Sequence, residues 1–259
     1  MHYLRQDRGF YRNAIALMLP MILQNLVTNF MALADTFMVG ILGETELAAV
    51  SMANSAFFVL SLVIFGIQSG TGVLVAQYYG KGRLDAINRI MGMGYYVSIG
   101  LTAVVALLAC LFPMQMMRIV TNNPDLWEPG AEYARIVGFS YVCMSFSGVY
   151  IAVQRSMENP KLGAILLTVS GALNILLNYM LIFGKLGAPA MGCAGAAVAT
   201  LISRAFEVVV ILGCMLWSKR LPINPRLMAK PGKLIAGDFM KYSLPVVLNE
   251  GMWSLAMSL

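Results

Sequence analysis

Long apolar runs recur along the whole chain, and each is long enough to form a helix that crosses a membrane. A helix needs about 20 mostly apolar residues to span the hydrocarbon core of a bilayer. Six such runs lie at about 15–42, 47–79, 90–112, 131–155, 162–183 and 191–217, and a further one begins near 243. The pattern therefore predicts an all-α membrane protein whose first six spans form a six-transmembrane-helix bundle.

The first run differs from an ordinary lipid-facing helix because it carries a stripe of polar residues. Gln24, Thr28 and Asp35 fall on one side of a helix with 3.6 residues per turn, and three more polar residues flank them: Asn25, Asn29 and Thr36. A carboxylate near the middle of a bilayer costs roughly 2.5–3.5 kcal/mol. We therefore expect the stripe to face protein or a watery cavity. Asp35 could instead lie at the outer interface, where its cost would be small.

Composition and charge place the chain among multi-pass membrane proteins and exclude nucleic acid as its partner. Hydrophobic residues make up 59% of the chain and charged residues 12%, with a mean hydropathy of +0.75. The net charge is +6, but the predicted topology puts fourteen of the eighteen Lys and Arg, Arg155 included, in loops on one side. Arg204 lies within a span, and the other side receives Arg118, Arg135 and Lys185. The asymmetry predicts a cytoplasmic N-terminus in the cell inner (plasma) membrane.

Residues that carry enzyme or metal chemistry are scarce in this sequence. The four cysteines lie in apolar runs without CxxC spacing, and the single histidine is His2 at the N-terminus. We find no nucleophile–base pair, no pair of catalytic acids and no metal-ligand cluster in the pattern. The prediction is a protein that is not an enzyme and has no cofactor.

A basic, proline-rich segment and a short repeat indicate how the chain is divided. The stretch LPMILQN at 19–25 is echoed by LPVVLNE at 244–250, six spans later. An even number of spans gives both copies the same direction, as in transporters built from two parallel six-helix halves. We predict a lobe at 1–217, a cytoplasmic linker at 218–237 and the start of a second lobe, with a truncated seventh helix, at 238–259. A chance match of two short apolar stretches is the alternative.

Several motifs together resemble the multidrug and toxic compound extrusion (MATE) transporters, over nearly the whole chain and in order. They are LADTFMVGILGETELAAVSMANS (33–55), QSGTGVLVAQYYGKG (68–82), QRSMENPKLG (154–163), LNILLNYMLIFG (173–184), GCAGAAVATLISR (192–204) and SLPVVLNEGMWSLAMS (243–258). The resemblance implies one lobe of a twelve-helix, two-lobe antiporter with a central cavity. It further implies export of organic, often cationic or amphiphilic compounds in exchange for sodium ions or protons. The chain would then be a fragment or a truncated product whose partner is the missing second lobe.

The resemblance also implies a cation-coupling site in this lobe. Asp35 matches the acidic residue of the family's first helix, and Asn174, Asn178 and Thr200 match its partners on the fifth and sixth helices. Some relatives have an aspartate where this chain has Asn178, so the site has one carboxylate here instead of two. The alternative role of the two asparagines is structural: they would form hydrogen bonds that hold two helices together. Carboxylate and amide oxygens suit a hard cation such as sodium.

Other polar residues of the spans are weaker candidates for substrate binding or coupling: Gln24, Asn25, Thr28, Gln68 and Glu250. Glu250 resembles an acid found in the seventh helix of many members of the family. Arg204 and Glu207 are spaced i,i+3 on one helix, and we interpret them as a structural ion pair that neutralises itself.

Three classes of function remain open. The first is an antiporter driven by a sodium or proton gradient. The second is a flippase for lipid-linked precursors, which requires several cationic residues in its cavity, whereas only Arg204 qualifies by sequence. The third is a half-protein that does not transport alone.

Overall fold

The computed structural model describes residues 8–218, 221–230 and 232–258, and within them the chain is helical and contains no strand. Along these described residues, nine α-helices and one short 3₁₀-helix at Pro124–Leu126 follow one another. The α-helices are α1 (Arg8–Gly40), α2 (Glu44–Tyr79), α3 (Leu84–Leu111), α4 (Pro113–Val120), α5 (Trp127–Ser156), α6 (Pro160–Phe183), α7 (Gly192–Trp217), α8 (Pro225–Ala229) and α9 (Lys233–Ser258).

Among the described residues, six helices are long and apolar enough to cross a membrane: α1, α2, α3, α5, α6 and α7. They correspond one to one with the six apolar runs of the sequence, which confirms the predicted fold class. A helix satisfies all its backbone hydrogen bonds internally, as a segment surrounded by lipid requires. The chain is therefore a multi-pass α-helical membrane protein.

The connections between the spans are shorter than the sequence pattern predicts. α3 begins at Leu84, so most of the basic loop predicted at 80–89 is helical. The predicted external loop at 113–130 contains α4 and the 3₁₀-helix. Pro113 occupies the first turn of α4, where its missing N–H is not needed. Asn123 caps the 3₁₀-helix by accepting a hydrogen bond from the Asp125 backbone N–H at 3.1 Å. This cap satisfies one of the free backbone N–H groups at the start of the 3₁₀-helix.

α5 lies at the centre of the bundle and packs against α2, α3, α6 and α7. Two buried apolar clusters surround it, one near each end of the membrane span. Aromatic rings stack in both clusters: Phe57 and Tyr141 have ring centroids 4.7 Å apart, and Tyr95 and Phe146 4.8 Å apart. Such pairs add about 0.5–1.5 kcal/mol beyond the burial of their surface. α5 is thus the rigid element on which the other spans are positioned.

α1 is attached to this bundle along one seam only. Its main contacts are with α6, and it touches α2 and α7 at few points. Its membrane-spanning part has no buried residue in its most apolar window. A cleft therefore separates α1 from α2, and the polar stripe of α1 lies beside it.

α6, the partner of α1, is bounded by clear stop signals. Pro160 stands in its first turn, and Gly184 closes it in the left-handed conformation, with φ 65° and ψ 40°. A side chain at Gly184 would also collide with the backbone of Ala190. Within these ends, α6 places Asn178 against Asp35 of α1 and Asn174 against Thr200 of α7.

The segment after α7 folds back onto the bundle. Asn88 of α3 holds it by donating to the Pro222 carbonyl at 3.0 Å and by accepting from the Asn224 backbone N–H at 3.0 Å. α9 then packs along α2, where Gly66 and Gly70 contact Val247 and Ser243. α9 begins at Lys233, a few residues before the predicted start of the second lobe at 238. The division into lobe, linker and second lobe stays a prediction.

Candidate functional site

A cavity of about 250 Å³ lies beside Asp35, which is half-buried on α1. Its walls come from α1, α2, α5 and α7, and include Asn54, Tyr133, Thr200 and Arg204. We call it the Asp35 cavity. Asp35 therefore lies against protein rather than in lipid, as the polar stripe predicts.

A chain of hydrogen bonds joins the four residues that the family resemblance brought together. Asn178 donates from its side-chain amide to Asp35 Oδ1 and, at 3.3 Å, to Asn174 Oδ1. Asn174 donates in turn to Thr200 Oγ1 at 3.5 Å. The chain crosses from α1 through α6 to α7. Asn174 and Asn178 are 2% and 0% exposed, so these contacts are formed away from water.

The donor set of this cluster fits a hard monovalent cation. The Oδ1 atom of Asn178 is buried and has no hydrogen-bond partner, although buried polar atoms are usually paired. The amide nitrogen of the same side chain donates to the Asp35 carboxylate, and Thr200 lines the same cavity as Asp35. Carboxylate, amide and hydroxyl oxygens are the ligands that hard cations prefer. Asp35, Asn178 and Thr200 are thus suited to hold such an ion, although its presence stays a prediction.

Several polar residues that line the Asp35 cavity were not among the predicted site residues, and two of them, Asn54 and Tyr133, bond to each other. Tyr133 of α5 donates its hydroxyl proton to Asn54 Oδ1 of α2 at 3.3 Å, opposite Asp35. Both are polar groups inside apolar spans, which is the signal that could have marked them. Their helices are distant in sequence, so only the packing of α2 on α5 brings them to the cavity.

Glu207 of α7 forms a buried polar cluster with the residues around it, next to the Asp35 cavity. Its carboxylate accepts from Arg204 Nη1 at 2.7 Å, from Ser170 Oγ at 2.7 Å and from Ser147 Oγ at 2.9 Å. Glu207 is fully buried, and the Arg204 side chain is 22% exposed. The pair predicted from i,i+3 spacing is therefore present, and two serines on other helices complete it. The arrangement fixes the Arg204 guanidinium at the edge of the cavity.

A second cavity, of about 320 Å³, lies on the other side of Arg204. We call it the Arg155 cavity. Four of the weaker candidates line it: Gln24, Asn25, Thr28 and Gln68. The side chain of the fifth, Glu250, lies outside the part of the chain that the structure describes. The polar stripe of α1 thus borders both cavities, with Gln24, Asn25 and Thr28 at one and Asp35 and Thr36 at the other.

Arg155 ends the run predicted at 131–155, and its role at a cavity was not predicted. The topology count put it among the loop cations, but it lies in the last turn of α5 and lines the cavity named after it. α5 ends at Ser156 and the next helix begins at Pro160, so the loop between them is too short to include Arg155. One sequence signal could have indicated that Arg155 lines a cavity: it directly follows Gln154 at the end of an apolar span.

The six apolar helices define the class: a polytopic α-helical membrane protein, here with a polar cluster and two cavities between its helices. The MatE family profile matches residues 20–180. Since this match covers more than half of the chain, the protein belongs to the MatE family. The recognition made from the motifs is confirmed.

Named relatives agree with this assignment. A probable multidrug resistance protein NorM from Neisseria meningitidis is 28% identical over 191 residues, which is 72% of this chain and 40% of the relative. A protein of the same name from Thermotoga maritima is 30% identical over 74% of this chain and 42% of its own length. The chain spans less than half the length of these two relatives. Both are named as resistance proteins rather than enzymes, which agrees with the prediction that this chain is not an enzyme.

The fold is also found among solved structures. A multidrug resistance MATE family transporter in an outward-facing conformation superposes with a TM-score of 0.83 at 24% identity, over 95% of this chain and 54% of that protein. At this identity the likeness shows the fold alone. The transporters of this fold have twelve helices in two lobes, and this chain corresponds to about half of such a molecule.

Proposed function

We propose that the chain is the N-terminal half of a secondary active antiporter that exports organic compounds in exchange for sodium ions or protons. The observation that carries the proposal is the cluster of Asp35, Asn178, Asn174 and Thr200 at the edge of a cavity. Family membership and the names of the relatives, which are multidrug resistance proteins, support it. In this proposal the chain is oriented with a cytoplasmic N-terminus in the inner membrane.

Asp35 is the residue that couples the ion to transport in this mechanism. A carboxylate partly shielded from water is stabilised by a neutralising partner, which is either a bound cation or a proton. Asn178 holds the carboxylate in place, while Thr200 and the free Asn178 oxygen supply neutral oxygens to a cation. Sodium and proton would then compete for one site. Binding or release of the sodium ion or proton changes the charge at the contact between α1 and α6. This contact is the one that holds α1 to the bundle.

The second lobe completes the substrate cavity in this proposal. Both cavities border the cleft beside α1, and in folds of this type the substrate site lies between the two halves. The 259-residue chain alone is then a half-protein that does not transport. Its partner is the second lobe of the same protein, and its substrates are small organic molecules.

A flippase for lipid-linked precursors stays as a second candidate function because of one observation. Such a protein requires several cationic residues in its cavity, and the structure adds Arg155 to Arg204 there. The Asp35 cluster favours the antiporter, since a flippase for an anionic lipid gains nothing from an acid in the neighbouring cavity.

The test is efflux from proteoliposomes that contain the full-length parent protein, with sodium and pH gradients imposed separately. We expect efflux of an organic dye when either gradient points inward and no efflux without one. The 259-residue chain, reconstituted in the same way, should show none. An efflux rate that does not change when either gradient is imposed would contradict the antiport mechanism. Saturable efflux by the short chain would contradict the half-protein interpretation.

A further inference from the structure

We propose that the Arg155 cavity binds the carboxylate of an organic substrate that carries an apolar body. The inference rests on the proposed function and narrows its substrate class. Asp35 is negatively charged and suits the expected cationic substrates. The Arg155 cavity is lined by two positively charged side chains and suits an anion.

The charge of the cavity is carried by Arg155. This side chain is half-buried in the last turn of α5, and no carboxylate pairs with it in the described residues, where the ion pair is the one between Arg204 and Glu207. None of the described residues that line the cavity is acidic. A guanidinium presents parallel N–H donors that match the two oxygens of a carboxylate. An uncompensated cation in such a place favours an anionic ligand.

The second arginine strengthens this preference because its own partner is turned away from the cavity. Glu207 is fully buried and already accepts hydrogen bonds from Ser147, Ser170 and Arg204. Its carboxylate therefore cannot swing out to reach Arg155. Arg204 is held at the edge of the cavity with only Nη1 engaged among its described contacts. Its remaining N–H donors can orient a ligand from the side opposite Arg155.

The rest of the lining indicates the remainder of the ligand. Gln24, Asn25 and Gln68 supply neutral donors and acceptors, and Phe65, Met144 and Leu167 supply apolar surface. A few polar groups set in an apolar wall are typical of small-molecule sites. Methionine adapts to ligands of different shape. The combination fits a monocarboxylate with an aromatic or aliphatic body better than a small inorganic anion, which would leave the apolar wall uncovered.

The test measures the binding of 2-naphthoate and of its neutral isostere 2-naphthamide to the 259-residue chain in phosphatidylcholine nanodiscs. We expect naphthoate to bind roughly tenfold or more tightly than naphthamide, as a charged hydrogen-bonded pair implies. Arg155→Gln should remove the preference and Arg155→Lys should restore part of it. Lys161→Gln is the matched control, because Lys161 is an exposed cation six residues away that does not line the cavity.

Equal binding of the two probes, no binding of either, or a preference that survives Arg155→Gln would overturn the proposal. A lipid headgroup is the competing source of the anion. If phosphatidylglycerol in the nanodisc displaces naphthoate and Arg155→Gln abolishes that displacement, the site belongs to lipid and the proposal is wrong. Asp35→Asn separates this inference from the proposed function, since it should abolish gradient-driven efflux by the parent and leave the naphthoate preference unchanged.

Discussion

Asn178 on α6 donates a hydrogen bond to the carboxylate of Asp35 on α1, across the seam by which α1 is held to the bundle. α1 has few other contacts, so this polar bond is one of the fixed points of the seam. The same carboxylate borders a cavity. We therefore expect a change in what Asp35 binds to alter the attachment of α1.

The first prediction concerns the charge of Asp35. Asp35→Asn keeps the size and the hydrogen-bonding capacity of the side chain but removes the group that a sodium ion or proton would neutralise. We expect the full-length parent with this change to insert normally, to bind substrate and to lose gradient-driven efflux. Proteoliposome efflux under imposed sodium and pH gradients measures the loss.

Asp125→Asn is the matched control, since Asp125 is an exposed acid in the 3₁₀-helix outside the membrane spans. It should transport like the unmodified parent. If Asp35→Asn pumps at the parental rate with unchanged sodium and pH dependence, Asp35 has no coupling role and the mechanism is wrong.

The second prediction compares the contribution of the neutral oxygen of Asn178 with that of the charged Asp35 carboxylate. Asn178→Ala removes one oxygen and the bond to Asp35 but leaves the carboxylate. We expect the sodium concentration for half-maximal efflux to rise by roughly tenfold, since a lost hydrogen bond or ligand to a charged group is worth about 1.5–3 kcal/mol. Maximal efflux should be reduced less than in Asp35→Asn. An Asn178→Ala protein with no sodium or proton dependence at all would show that the neutral oxygens matter as much as the acid.

Much of this site could be predicted from the sequence because each part has a local signature. Asn174 and Asn178 are one helical turn apart, so the spacing alone places both on one face of α6. The polar stripe of α1 marks the face that carries Asp35. That these two faces meet, and that Thr200 joins them, came from the family resemblance, since periodicity gives the face of a helix and not its neighbour.

The residues that were missed depend on helix pairing. Ser147 and Ser170 are unremarkable polar residues in apolar spans, and only the packing of α5 and α6 against α7 brings them to Glu207. Arg155 lies at the end of the run predicted at 131–155, which agrees with the end of α5. The sequence could not show that this end lines a cavity, because the cavity forms only where α1 and α2 pack beside α5.

The third prediction concerns the stability of the buried cluster. Glu207→Gln keeps a hydrogen-bond acceptor for the serines but leaves the Arg204 charge without its partner. We expect a loss of roughly 2–3 kcal/mol in the free energy of unfolding, below the ~3–5 kcal/mol of a fully buried pair because Arg204 is partly exposed. Denaturant unfolding in detergent micelles measures it.

A double change tests the cause of that loss. Arg204→Met with Glu207→Leu removes both charges and should recover part of the stability lost by Glu207→Gln alone. Glu132→Gln, at an exposed acid on α5, should stay within about 0.5 kcal/mol of the unmodified chain. Equal destabilisation by the double change and by Glu207→Gln would mean that the serine hydrogen bonds, and not the unpaired charge, hold the cluster together.

The last prediction concerns the contact between α2 and α9. A Cβ atom at Gly70 would come within 2.6 Å of the Ser243 backbone, so any side chain there must push α9 away. We expect Gly70→Leu to expose the segment that precedes α9 to trypsin, which can cut after Arg226, and to lower the stability of the chain by roughly 1–3 kcal/mol. Gly100→Leu is the matched control, because a Cβ at Gly100 meets nothing within 4 Å. If both variants are cleaved at the same rate, α9 does not depend on its close contact with α2, and the glycines of α2 have another role.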